Sequence, residues 1–122
     1  MFDYIPDCFK PKQEQHIDYY NVFRLVINTE VLTFEDFIPS CFEEGYVPKN
    51  EQGDYSVSLN KNREVLLKLR EKFVGMKKYN GLAIGNTSNL RGLSFGKTHI
   101  NYFLYDYLNN SPCDDFSIFE VF

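Results

Sequence analysis

Tryptophan is absent from this chain, and histidine and cysteine are scarce, at two and three in 122 residues. The cysteines, Cys8, Cys41 and Cys113, are odd in number and far apart, with no Cys-x-x-Cys pair and no Cys/His cluster. That argues against a disulfide scaffold or a zinc site and for reduced thiols in a cytosolic protein. No apolar run approaches the ~20 residues that cross a bilayer. The first twelve residues carry Asp3 and Asp7 and no apolar stretch, unlike a secretory signal. A cytoplasmic protein without a membrane partner is therefore expected. Catalytic and phosphate-binding signatures are lacking too: there is no GxSxG, HExxH, GxxxxGK[ST] or GxGxxG. Lys and Arg are missing altogether from residues 98–122.

That last absence belongs to a wider pattern. Residues 1–54 hold eleven acids and four bases, a balance of −7. Residues 61–97 hold nine bases and two acids, a balance of +7, and residues 98–122 hold four acids, so the net charge of −4 conceals three blocks. A surface of one sign attracts a partner of the other and speeds the encounter. The blocks could equally neutralise each other inside the fold.

Aromatics are plentiful, with twelve Phe and nine Tyr making 17% of the chain. A folded chain of 14.4 kDa exposes roughly 6,800 Å², against about 21,000 Å² unfolded. This suffices for one domain over residues 1–122 with its own core. Nine Tyr hydroxyls need water or a partner, so some Tyr belong at the surface.

The run from Tyr19 to Ile27 reads as a strand with Tyr19, Phe23, Leu25 and Ile27 on its buried face. Thr33 and Asp36 form a capping box ahead of a helical stripe of Phe34, Phe37, Ile38, Cys41 and Phe42. That helix carries Pro39 in its first turn, where proline is tolerated, and Gly45 stops it. Tyr55–Leu59 reads as a short strand. A helix from Asn60, closed by Gly75, buries Val65, Leu66, Leu69 and Phe73, pairs Glu64 with Lys68, and turns Lys61, Arg63, Lys68, Arg70 and Lys72 outward. Short strands follow at 82–84 and 93–95, with a hairpin turn at Gly96-Lys97. Residues 98–108 fit a helix by spacing and a strand by composition. Phe116–Phe122 closes as a strand. The fold class expected is α+β: a small mixed or antiparallel sheet of about four to five strands packed with two or three helices.

Four chemistries compete. His99 with a Ser or Thr nucleophile such as Ser88, and Arg91 holding an anion, would make a small enzyme, yet nothing local fixes that geometry. Gly85 to Asn89 could point amides at an anion, but hairpin turns explain the glycines as well. The nine bases from Lys61 to Lys97, with Tyr79 or Phe95 for stacking, would suit nucleic acid, without any RNP, KH or helix-turn-helix signature. The acidic pairs Glu43-Glu44 and Asp114-Asp115 lack calcium-loop spacing. No cofactor, metal or catalytic residue is assigned, and nothing in the sequence sets an oligomeric state.

The remaining chemistry is protein binding by the acidic front half. Glu35, Glu43 and Glu44 lie off the apolar stripe, and Tyr supplies rigid contact area. A partner-binding surface of Asp18, Tyr20, Glu35, Asp36, Glu43, Glu44 and Tyr46 is therefore expected. The function this implies is a non-enzymatic inhibitor that occludes a basic partner, such as an immunity protein neutralising a toxin nuclease or a phage-encoded blocker. Nucleic-acid binding through 61–97 is the alternative.

Overall fold

A computed structural model describes residues 2–122. The strands are β1 (Val22–Val26), β2 (Val57–Asn60), β3 (Gly81–Gly85), β4 (Gly92–Gly96), β5 (His99–Leu104) and β6 (Phe116–Val121). They form one antiparallel sheet in the spatial order β4-β5-β2-β1-β3-β6. The single α-helix among the described residues is α1 (Arg63–Lys72), begun by Asn62, whose side chain accepts from the Glu64 amide. The class is α+β as expected, but the sheet has six strands rather than four to five. The added strand comes from residues 98–108, where His99–Leu104 pairs with both β2 and β4.

The helix expected over 33–45 does not form. The capping box is present, with Thr33 accepting from the Glu35 amide and Asp36 accepting from the Thr33 amide. The chain then makes only a 3-10 turn, Phe34–Phe37, and a second one, Ser40–Phe42. Pro39 lies between them in an extended conformation, so the proline divides the segment instead of entering a first turn. The other expected helix begins at Arg63 rather than Asn60, and Glu64 pairs with Arg63 rather than Lys68. Its buried face is narrower than expected, since Leu66 is buried while Phe73 is 48% exposed.

Both faces of the sheet are covered. On one face Val22, Val26, Leu59, Ile100, Tyr102 and Leu104 pack with Phe37 and Phe116. On the other face two separate clusters form. Leu25 and Leu82 lie under Leu66 and Leu69 of α1. Leu93 and Phe103 lie under Phe2 and Ile5 of the N-terminal segment. The close approach of strands at one end leaves no room for a side chain at Gly92, where a Cβ would meet the Phe103 carbonyl. Edge strand β4 is covered by residues 16 and 17: Ser94 N–H donates to His16 Nδ1 (2.9 Å), and Ile17 N–H donates to the Ser94 carbonyl (2.8 Å). The other edge, β6, carries a register shift opposite Leu82 and Ala83, which blunts it against further pairing.

Between the two clusters on the helix side, the sheet surface is polar. Ser56, Ser58 and Asn60 share that face of β2 and its approach, next to His99 and Asn101 of β5. The alternation in Ser-Val-Ser-Leu-Asn sends Val57 and Leu59 to the opposite core and leaves this strip facing a gap in the cover. The gap holds the clefts described next.

Candidate functional site: an acidic groove beside a polar strip

β1 and β2 pair at only one position, Phe23 with Asn60, so the two strands separate beyond it. Arg24 fills the opening. Its Nη1 donates to the Ser58 carbonyl (2.9 Å), its Nε to the Asp36 carbonyl (2.6 Å), and its Nη2 to Glu43 Oε1 (3.4 Å). The guanidinium also sits over the Phe37 ring, 5.9 Å from its centroid. One side chain thus replaces a missing ladder bond, ties the 3-10 segment to the sheet and fixes a carboxylate at the surface.

Three clefts of about 530, 400 and 560 Å³ open around this point, and Glu43 and Tyr79 line all of them. The first and third together make a groove between residues 35–46 and residues 73–79. Leu25, Met76 and Leu69 supply its apolar floor, Glu35, Glu43 and Glu44 one wall, and Lys78 stands on the other. Glu35 and Glu44 are exposed and in no ion pair among the described residues. Phe42 and Phe73 add half-exposed rings to the groove.

The seven residues expected at a partner surface are not all together. Glu35, Glu43, Glu44 and Tyr46 line the clefts. Asp36 lines the first cleft but is 6% exposed, and its carboxylate accepts from the Thr33 amide and the Asn28 side chain. A carboxylate that closes a capping box is already engaged, so Asp36 shapes the wall and does not present a free charge. Asp18 and Tyr20 precede the opposite end of β1. Asp18 pairs with His16 (2.6 Å), and Tyr20 is 70% exposed. Neither reaches the groove.

Tyr46 is held from behind. Its hydroxyl donates to Asp54 Oδ1 (2.6 Å), and Asp54 also accepts from the Lys49 and Glu51 amides. The Tyr46 bond, with these amides, holds the Asp54 carboxyl below its usual range. Burial, then the Asp54 bond, pushes Tyr46 up to about 12. A lowered carboxyl pKa contributes stability that is present above the unfolded value and is lost as pH falls through the folded one. Tyr46→Phe removes the largest cause of that lowering. The variant is therefore expected to begin acid unfolding at a higher pH than wild type, within the range below about 4. Circular dichroism during acid titration checks this, and coincident curves would contradict it.

The cationic middle block is partly used up. Arg63 pairs with Glu120 and Glu64, and Arg91 with Asp115 (3.0 Å) and Asn110 (2.8 Å). Arg70 donates to the Tyr79 carbonyl and lies 4.4 Å from the Phe122 ring centroid. Two of these arginines, Arg63 and Arg91, are thus joined to C-terminal acids, and none of the three pairs with Glu35 or Glu44 of the groove wall.

The polar stretch 86–91 is likewise engaged in the fold. Thr87 exchanges bonds with Tyr19, Ser88 with the Tyr102 hydroxyl, and Asn86 Oδ1 accepts from the Asn21 amide. Ser88 and Arg91 thus have other partners, and the side chain that meets His99 is Ser58, at 2.6 Å. Sequence reasoning missed this pair because 41 residues separate its members. The alternation of Ser56, Ser58 and Asn60 was the available signal. No protein-family model, curated protein or solved structure matches the chain.

Proposed function

We propose that the protein binds a basic partner protein, seating a cationic and partly apolar segment of it in the groove, and inhibits that partner by covering its basic surface. The observation carrying this reading is the groove wall: among the described residues, Glu35 and Glu44 are exposed and in no ion pair, Glu43 beside them is held by Arg24, and Lys78 is the one cation on the facing wall. An apolar floor supplies affinity, and the carboxylates supply orientation and on-rate.

A Lys/Arg-rich peptide with interspersed Leu and Phe is the probe, and an acidic peptide of equal length the control. Fluorescence anisotropy is expected to detect binding of the first only, weakening as salt rises. Glu35→Lys with Glu44→Lys replaces two attractions by two repulsions, together about 2 kcal/mol at low salt, and is expected to weaken binding tenfold or more. Equal affinity of the two peptides, or an unchanged affinity in the double variant, would exclude this function.

A further inference from the structure

The second cleft, of about 400 Å³, lies over the polar strip and contains a pair of side chains that the binding function does not use. Ser58 Oγ and His99 Nε2 are 2.6 Å apart on neighbouring strands, within hydrogen-bond reach and open to the cleft. Rigid strands place both: Ser58 is opposite Asn101 and His99 is opposite Asn60, so the pair sits diagonally on one face. We propose that Ser58 is a nucleophile activated by His99, and that this cleft accepts a small ester for acyl transfer to water.

Three features support that chemistry. A serine hydroxyl is a weak nucleophile until an adjacent base takes its proton, and the spacing here is that of such a pair. Burial, then the charge of Lys49, lowers the pKa of His99, which keeps the ring neutral and able to accept a proton near pH 7. The charged and titratable groups facing the cleft are Lys49, Glu51 and Tyr46 from the 46–51 loop, with Arg24, Glu43 and Tyr79 on its other sides. α1 contributes only Leu66 and Leu69, so it walls the cleft with apolar surface. Lys49 and Glu51 both line the cleft without an ion pair among the described residues, and Arg24 is paired with Glu43, so the lining as a whole carries no charge preference for the acyl portion.

The step balances within the pair. Ser58 Oγ bonds to the acyl carbon while its proton passes to His99 Nε2. The ester C–O bond breaks, and the alcohol leaves with that proton. Water then gives a proton to Nε2 and attacks the acyl carbon, the acid departs, and the proton returns to Ser58.

The test is labelling of the full chain with a fluorophosphonate, read by intact mass and peptide mapping. One adduct is expected, on Ser58, formed at a rate that rises with pH around a midpoint below about 6.5. His99→Gln keeps a hydrogen-bonding side chain without a base and is expected to slow labelling by about 100-fold. Ser58→Ala abolishes it. Absence of an adduct on Ser58 in wild type, or labelling of His99→Gln at the wild-type rate, overturns the proposal. The wild-type pH profile provides the same discrimination if a variant misfolds. Cationic-peptide binding measured on the same samples separates this site from the groove, since either can fail alone.

Discussion

Arg24→Met is expected to lower stability by about 3 kcal/mol. The guanidinium is the donor for two main-chain carbonyls, at Asp36 and Ser58, and the counterion of Glu43. Methionine fills similar space and donates nothing. The Ser58 carbonyl then loses a partner where β1 and β2 do not pair, the Asp36 carbonyl of the 3-10 turn loses its side-chain donor, and a half-buried carboxylate loses its cation. Removing one member of such a pair costs more than the pair is worth when intact, because the desolvated remainder is left uncompensated. Urea denaturation should show a lower midpoint with an unchanged slope. Arg24→Lys keeps the charge but not the planar fork that reaches three acceptors, so it should recover less than half of the loss. Wild-type stability in Arg24→Met would mean that the opening between the strands is held by something else.

Phe37→Ala is expected to cost about 3–5 kcal/mol. Phe37 is fully buried, packs on Phe116 with ring centroids 4.9 Å apart, and underlies the Arg24 guanidinium. Truncation removes the largest apolar contact of the 3-10 segment and leaves a cavity between that segment and the sheet. Against the 5–15 kcal/mol typical of a whole domain, this is a severe change. It should also weaken peptide binding, because Phe37 anchors the turn that carries Glu35 and underlies the Arg24 guanidinium that holds Glu43. Phe119→Ala is the control. Phe119 is 49% exposed and touches Phe23 edge-on at the sheet margin, so its loss should cost much less. Equal losses in the two variants would contradict the core assignment.

The existence of α1 was legible from its apolar spacing and that of β1 from its aromatic and branched run, but their buried faces were read less well. In β1 Val22, Leu25 and Val26 are buried while Phe23 is half-buried and Ile27 is 51% exposed, and in α1 the buried face is narrower than its spacing implies. The 99–104 strand was obscured at its C-terminal end: Ile100, Tyr102 and Leu104 face one core, His99 and Asn101 face the polar strip, and Phe103 enters the second core. The unbroken apolar run Tyr102-Phe103-Leu104 interrupts the alternation that identifies strands, and the spacing then also fits a helical stripe. The 33–45 segment misled for a different reason. Its stripe was helical, but Pro39 outweighed it, and the apolar residues reach the core from two 3-10 turns instead. Glu35 and Glu44 were recognisable as exposed from their positions off the stripe. Asp36 was assigned both to the capping box and to the surface, roles that one carboxylate does not combine. Arg24 carried no sequence signal, since only the separation of β1 from β2 explains why a cation belongs in the middle of a strand.

Amide chemical-shift mapping with the cationic peptide tests the groove most directly. Glu35, Glu43, Glu44, Met76 and Tyr79 are expected to shift together and saturably, and the shifts should vanish in the Glu35→Lys, Glu44→Lys variant. Shifts confined to Asp18, Tyr20 and the far end of β1, or no saturable shifts at all, would contradict an acidic groove as the binding surface.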